Sequence, residues 1–278
     1  MRRDDIVLLD GAVGTSLWEK AEDKVAVWRY NVENPRIVSE LNREFMEAGA
    51  QIVLANTFGA NRYAVGKSGY TVKQIVSEGV RLCREAVGDG AQVALSAGPL
   101  PMLLEPYGDL TEEECFAAYD EQISSGMEYD PDVITLQTFM DVDMLAIAAR
   151  AAAKYGKPIF CMATFNEVGK TIMGHSVERF VEAMEGLPIT AIGMNCSLGP
   201  EKAVPVIASF RQYTDLPLIF KPNAGKPILQ GGESKMQYDV DTFVEDCMSA
   251  LECDVQYIGG CCGSNASYIR ALKKRIWG

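Results

Sequence analysis

The chain has 278 residues, 48% of them hydrophobic, and 26 basic against 38 acidic side chains give a formal net charge of −12. This composition supports a full hydrophobic core and excludes a disordered chain. The acidic balance, with no basic stripe, excludes nucleic acid and anionic membranes as expected partners. No apolar run reaches the length of a membrane span, and the N-terminus has no signal-peptide core, so we predict a cytoplasmic protein.

Eight short apolar runs along the chain predict β-strands. Their apolar residues are continuous and do not alternate with polar ones, which is typical of parallel strands covered on both faces. The predicted strands cover residues 6–9, 51–55, 92–96, 133–136, 158–163, 190–194, 216–221 and 255–258.

Helix signals fill the segments between these strands. Pro35 is placed to open one helix and Gly49 to end it. Thr111 and Glu114 have the spacing of a capping box. Further helix starts are predicted at Asp141, at Gly199-Pro200 and at Asp239.

Eight β-then-α units of roughly 30–35 residues match a (β/α)8 TIM-type barrel, for which about 250 residues is typical. The competing doubly wound sheet usually has a G-x-G-x-x-G turn after its first strand, which Asp10-Gly11-Ala12-Val13-Gly14 lacks. No linker or composition shift divides the chain. The sequence therefore predicts a single barrel domain over residues 1–278, with active-site residues at the C-terminal ends of the strands.

Three of the eight cysteines come directly after predicted strands: Cys196 after the sixth, and Cys261 and Cys262 after the eighth. Neighbouring strand residues face opposite ways, so Cys261 and Cys262 cannot both enter an apolar core. Buried small hydrophobes or a redox pair are the alternatives. Three thiolates form a soft site that favours zinc and leaves one coordination position open. We predict that Cys196, Cys261 and Cys262 bind a catalytic zinc suited to activating a sulfur nucleophile.

Other chemically capable residues have plainer expected roles. Asp10, at the end of the first strand, either binds an ammonium group or caps a turn, and His175 is expected at a polar rim. Trp18 and Trp28 either cover the barrel mouth or pack against its edge. Core positions are predicted for the remaining cysteines: Cys83, Cys115, Cys161, Cys247 and Cys253.

Five motifs together resemble the homocysteine S-methyltransferase family. They are Asp10-Gly11-Ala12-Val13-Gly14-Thr15, Asn56-Thr57-Phe58, Met194-Asn195-Cys196, Pro222-Asn223-Ala224-Gly225 and Gly259-Gly260-Cys261-Cys262-Gly263. The likeness is strongest to the N-terminal homocysteine-binding module of cobalamin-dependent methionine synthase, and it runs from the first strand to the last.

The resemblance implies a (β/α)8 barrel whose zinc is held by Cys196, Cys261 and Cys262. It implies a small-molecule thiol, homocysteine or a relative, that joins the zinc as fourth ligand and accepts a methyl group. Asn223 is then expected to approach the metal when no thiol is bound. The implied amino-acid pocket draws on Asp10 and Gly11 and on the segment from Ser96 to Gly98.

One position departs from the family pattern. The family has a glutamate at the end of the fourth strand that binds the homocysteine ammonium, and this chain has Gln137 there. Loss of the charge-assisted part of that bond costs about 1–2 kcal/mol. We therefore predict altered acceptor recognition through Gln137, with thiol methylation retained. Betaine-using relatives have an aromatic residue at the position of Thr138, which argues against betaine as donor.

The sequence contains no folate-binding barrel and no corrinoid-binding module, so an external methyl donor is expected. The motifs favour methylcobalamin carried by a separate corrinoid protein, and S-methylmethionine is the alternative. A non-catalytic zinc- or thiol-binding subunit is a second possibility. A third is an unrelated barrel enzyme such as an aldolase, for which Lys221 is the candidate Schiff-base lysine.

Overall fold

A computed structural model of the protein describes residues 2–225, 227–230 and 233–278. In these ranges the strands are β1 Val7–Leu8, β2 Ile52–Leu54, β3 Gln92–Ala97, β4 Val133–Phe139, β5 Ile159–Ala163, β6 Ala191–Asn195, β7 Leu218–Lys221, β8 Pro227–Gln230, β9 Glu233–Met236 and β10 Val255–Ile258.

All strands except β8 and β9 form one parallel sheet in the order β1-β10-β7-β6-β5-β4-β3-β2. A parallel bridge between Leu9 and Ile52 joins the two ends of this order, so the sheet curls into a nearly closed barrel. Each of the eight predicted strands is present, and the predicted (β/α)8 TIM-type fold is confirmed.

The α-helices of the described ranges lie between the strands and after the last one. They are α1 Val13–Lys20, α2 Tyr30–Glu33, α3 Pro35–Ala48, α4 Arg62–Val65, α5 Val72–Val87, α6 Glu112–Gly126, α7 Val142–Ala153, α8 Val177–Met184, α9 Pro200–Ser209, α10 Val240–Leu251 and α11 Ala266–Trp277. None of the helices in the part of the chain that the structure describes is long and apolar enough to cross a membrane.

The helix signals in the sequence act as predicted. Thr111 and Glu114 form a capping box at the start of α6, since the Thr111 side chain accepts a hydrogen bond from Glu114 N. Asp141 caps α7 and Asp239 caps α10 with their side chains. Gly49 ends α3 with a φ of 112°, a conformation that favours glycine.

The core has two layers. Leu54, Phe160, Met162 and Ile219 belong to an inner cluster that fills the barrel. A larger cluster packs the helices against the outside of the sheet. Four cysteines are buried as predicted: Cys83, Cys115, Cys161 and Cys247.

The prediction for Cys253 is wrong. Helix α10 ends at Leu251, and Cys253 N bonds to the Ala250 carbonyl in the turn that follows. Cys253 is therefore partly exposed.

A β-hairpin in the connection from β7 to α10 was not predicted. Strands β8 and β9 pair antiparallel, from Pro227 opposite Met236 to Gln230 opposite Glu233. The sequence signal was available, because two glycines between short strand-like runs favour a hairpin. The hairpin stands apart from the barrel sheet and leaves its strand order unchanged.

Candidate active site

The three strand-end cysteines meet at the barrel mouth, which is formed by the C-terminal ends of the barrel strands and the loops that follow them. Cys196 follows β6 and Cys261 and Cys262 follow β10, on either side of β7. Their Sγ atoms all lie within 4.8 Å of one another. Cys196 Sγ and Cys262 Sγ are 3.7 Å apart. Tetrahedral zinc with Zn–S bonds of about 2.3 Å needs S···S distances of about 3.8 Å, so this spacing fits the ion.

The backbone at Cys196 is held in an uncommon conformation. Cys196 and Ser197 have φ values of 62° and 61°, in the left-handed region that non-glycine residues rarely adopt. Two hydrogen bonds fix this turn: Cys196 N donates to Lys221 O at 3.0 Å, and Leu198 N donates to Cys196 O at 2.7 Å. Such conformations persist where surrounding contacts determine them, and they concentrate at functional sites.

The turn that carries Cys261 and Cys262 requires glycine at position 260. A Cβ there would lie 2.0 Å from Ser264 Oγ, far inside van der Waals contact. That close approach lets Ser264 N donate to Cys261 O at 3.0 Å, while Cys261 N donates to Pro222 O at 2.8 Å. The turn is therefore tied to the loop after β7, next to the third thiol.

Asn195 positions the site, a role that the sequence did not predict. Its Oδ1 accepts from Thr138 N at 2.7 Å, and its Nδ2 donates to Thr138 Oγ1 at 2.8 Å and to Cys261 Sγ at 3.6 Å. Thr138 lies at a register shift between β4 and β5 and has a φ of 66°. Asn195 thus links a bulge in β4 to one of the three sulfurs. The only sequence signal was an amide beside Cys196 at a strand end.

Without a cation, the three thiols cannot all be ionised. Hydrogen bonds from Cys261 and Cys262 lower the pKa of Cys196, and the hydrogen bond to Cys196 raises the pKa of Cys261. The hydrogen bond to Cys196 also raises the pKa of Cys262, to about 11. One thiolate is therefore stabilised while the other two thiols stay protonated. The positive charge of a divalent ion would allow all three to ionise.

Asn223 adds a second sign that a metal fits. Its side chain contributes to lowering the pKa of Cys196, and its Oδ1 is buried without a hydrogen-bond partner among the described residues. A buried oxygen without a hydrogen-bond partner is rare unless a ligand or an ion interacts with it. The three thiols form a donor set suited to zinc, and an amide oxygen is a chemically compatible fourth donor.

A cavity of about 370 Å³ opens beside the three cysteines. Three of the predicted substrate-binding residues line it: Gly11, Ser96 and Gln137. Trp18 and Trp28 line it as well. Trp28 is buried and Trp18 is exposed, so the first packs within the wall and the second stands at its edge.

Asp10 was predicted to contact a substrate ammonium group, but its carboxylate is not accessible in this structure. Asp10 is fully buried: its Oδ1 accepts from Lys221 Nζ at 2.6 Å and its Oδ2 from Leu54 N at 2.8 Å. It does not line the cavity beside the cysteines, whereas Lys221 does. Asp10 therefore offers no accessible carboxylate oxygen to the cavity. The ammonium contact stays a prediction, and it would require the buried Asp10 carboxylate to become accessible from the cavity.

His175 lies away from the three cysteines. It sits with Asp141 and Asp143 near the start of α7, where Val142 N donates to its Nδ1 at 3.3 Å. It does not line the cavity beside the cysteines. Asp143 is exposed, and this group has the character of a polar rim.

Comparisons with known proteins agree with this architecture. The family model described as homocysteine S-methyltransferase matches residues 7–276. The chain is 26% identical to methionine synthase of Mycobacterium leprae and 26% identical to that of Mycobacterium tuberculosis. Each alignment covers 98% of this chain and 24% of the relative, so the chain spans about a quarter of the length of either enzyme.

Among solved structures, the homocysteine methyltransferase MmuM from Escherichia coli in its metallated form superimposes with a TM-score of 0.81. The identity is 20%, and the superposition covers 98% of this chain and 96% of the other, a likeness of fold.

The fold and the site define a (β/α)8 barrel with a three-thiol cluster at its mouth. The family match over nearly the whole chain is decisive, and the chain belongs to the homocysteine S-methyltransferase family. That membership supports methylation of a thiol sulfur as the class of reaction.

Proposed function

We propose that this protein is a zinc-dependent S-methyltransferase whose acceptor is a small thiol. The observation that carries the proposal is the convergence of the Cys196, Cys261 and Cys262 sulfurs within 4.8 Å of one another, beside a cavity of about 370 Å³. A zinc ion bound there would lower the pKa of the acceptor thiol and present it as a thiolate nucleophile.

The residues around the cysteines support the same reaction. Asn195 orients Cys261, and Asn223 has an oxygen without a hydrogen-bond partner in the described ranges, available to the metal in the absence of substrate. Val27, Trp28 and Leu54 provide apolar lining that excludes water from the acceptor. Low water content favours attack by a thiolate, since a desolvated anion is a stronger nucleophile.

We propose that the methyl group comes from methylcobalamin carried by a corrinoid protein or module outside this barrel domain. Seven of the nine exposed large apolar side chains in the described ranges follow the C-terminal ends of barrel strands, six of them in strand-to-helix connections and Trp18 in α1. These seven form what we call the apolar rim: Trp18, Phe58, Leu103, Tyr107, Met140, Val168 and Ile172. An apolar surface around an active site favours contact with another macromolecule.

The proposed transfer has a simple balance. The acceptor S–H proton leaves, a C–S bond forms, and the methyl–cobalt bond breaks with both electrons left on cobalt. Zinc-loaded protein should therefore convert a thiol and free methylcobalamin into a methyl thioether and cob(I)alamin. Product is measured by mass spectrometry and cobalamin by absorbance.

A variant with both Cys261→Ala and Cys262→Ala is the matched control, and S-methylmethionine is the alternative donor. Transfer from either donor that depends on these cysteines supports the proposed activity. If zinc-loaded protein binds thiols but transfers no methyl group from either donor, the chain is a thiol-binding subunit and the proposal is wrong.

A further inference from the structure

The described residues that line the cavity beside the cysteines include one formally charged residue apart from the cysteines. Among the described residues that line it, Lys221 is the only basic side chain, and there is no aspartate, glutamate or histidine. The remaining polar side chains of the lining are neutral hydroxyls and amides. The lining therefore offers an incoming substrate no unpaired carboxylate, and its one basic residue, Lys221, is 2% exposed and paired with Asp10.

The nearest carboxylate is already engaged. Both Asp10 oxygens accept hydrogen bonds, one from Lys221 and one from Leu54 N, and Asp10 is 0% exposed. A substrate ammonium would have to reach a carboxylate that is buried and already paired with Lys221. Lys221 Nζ has three N–H donors, and in the described part of the chain Asp10 is its hydrogen-bond partner. Lys221 can therefore donate to a second acceptor without giving up Asp10.

The other polar part of the lining is a fixed neutral pair. Gln137 Nε2 donates to Ser96 Oγ at 2.9 Å. Ser96 is in turn held by Thr57, whose Oγ1 accepts from Ser96 N at 3.0 Å and donates to Ser96 O at 2.7 Å. This arrangement can hydrogen-bond to a carboxylate or a hydroxyl. It supplies no negative charge to hold an ammonium group.

We propose that the preferred acceptor is a thiol that bears a carboxylate and no ammonium group, a mercapto-carboxylic acid, with the carboxylate bound near Lys221 and Gln137. This inference rests on the proposed function and names its substrate class. In the reaction the thiol loses its proton, the new S–CH3 bond forms, and the carboxylate is unchanged. Charge complementarity disfavours an ammonium group, because the lining residues in the described ranges include no carboxylate. Lys221 Nζ, whose charge Asp10 offsets, can still donate a hydrogen bond to a carboxylate.

Three thiols with the same carbon chain can distinguish the effect of the substrate carboxylate from that of the substrate ammonium group. Homocysteine has both groups, 4-mercaptobutyrate lacks the ammonium group, and 3-aminopropanethiol lacks the carboxylate. We expect kcat/KM for 4-mercaptobutyrate to exceed that for homocysteine, and to exceed that for 3-aminopropanethiol by at least about 10-fold. A higher kcat/KM for homocysteine than for 4-mercaptobutyrate overturns the inference and leaves the methyltransferase proposal intact.

Two sets of variants identify the residues that determine which acceptor thiol is preferred. Gln137→Glu should raise kcat/KM for 3-aminopropanethiol about 10-fold and lower it for 4-mercaptobutyrate, while the uncharged control Gln137→Met should not raise it for 3-aminopropanethiol. The Asp10→Asn, Lys221→Gln double variant keeps hydrogen-bonding groups and removes both charges. It should lose the carboxylate preference.

A binding measurement makes the test independent of turnover. The dissociation constants of 4-(methylthio)butyrate and 3-(methylthio)propylamine, which have no ionisable thiol, are compared by calorimetry with the zinc-loaded wild-type protein. Tighter binding of the carboxylate supports the inference even if no methyl transfer is detected. Equal or tighter binding of the amine overturns it.

Discussion

Lys221 Nζ donates a hydrogen bond of 2.6 Å to Asp10 Oδ1, and the two residues are 211 positions apart in the chain. Lys221 is 2% exposed and Asp10 is 0% exposed. Burial raises the pKa of Asp10, while the charge and the hydrogen bond of Lys221 act to lower it. The pair therefore fastens the end of β1 to β7 directly below the site, and each charge depends on the other.

Removing one charge of the Asp10–Lys221 pair should destabilise the protein, because the other charge is then buried without a partner. Lys221→Met leaves Asp10 as an unpaired buried carboxylate, and we expect it to lower the free energy of unfolding by about 3–5 kcal/mol. Adding Asp10→Asn to Lys221→Met should restore part of the loss, because an amide oxygen can still accept from Leu54 N. Urea denaturation of both single variants and the double variant measures the coupling. Strictly additive losses would show that the pair is not coupled.

Zinc content provides the next prediction. Alanine at Cys196, Cys261 or Cys262 should lower the bound zinc from about one per chain, while circular dichroism and the melting temperature change little. The barrel has its own large core, so its folding does not require the metal. Elemental analysis after dialysis measures the content.

Cys253→Ala is the matched control, because Cys253 is partly exposed and lies outside the cluster. It should keep its zinc. Full zinc retention in the Cys261→Ala, Cys262→Ala double variant would show that the zinc binds at another site.

Asn195 should affect metal affinity without being a ligand. It orients Cys261 through Nδ2 and is itself held by Thr138. Loss of such a supporting hydrogen bond typically costs 10–100-fold in metal affinity. We expect Asn195→Ala to weaken zinc binding in this range, measured by competition with a chelator. An unchanged affinity would mean that Cys261 is oriented by its backbone alone.

The apolar rim should matter for a protein-bound donor only. Val168→Lys and Ile172→Lys, at rim positions more than three-quarters exposed, are expected to lower kcat/KM for a methylated corrinoid protein several-fold. The rate with free methylcobalamin should stay the same. Tyr213→Lys is the control, because Tyr213 is exposed in the connection that precedes β7, at the opposite end of the barrel. Equal effects on both donors would contradict a docking role for the rim.

Local chemistry in the sequence predicted much of this molecule. Continuous apolar runs marked the strands, and side chains such as Thr111 and Asp141 marked helix starts, because these signals act over a few residues. The cysteines could be placed together because parallel strands of a barrel end at one edge.

The remaining features depend on contacts between distant segments. The pairing of Asp10 with Lys221 and the link from Asn195 to Thr138 arise only when distant strands become neighbours. No local pattern encodes those distances. The left-handed φ at Cys196 and Thr138 likewise follows from contacts that surround each turn.

The sulfur coordination of zinc tests the central claim most directly. Zinc-loaded protein is examined by X-ray absorption spectroscopy with and without a saturating acceptor thiol. Without acceptor, the account predicts three sulfur ligands, from Cys196, Cys261 and Cys262, and one lighter donor. With acceptor, it predicts four sulfur ligands and the release of about one proton near neutral pH. An unchanged set of three sulfurs, with a saturating thiol that is also turned over, would contradict activation of the acceptor at this site.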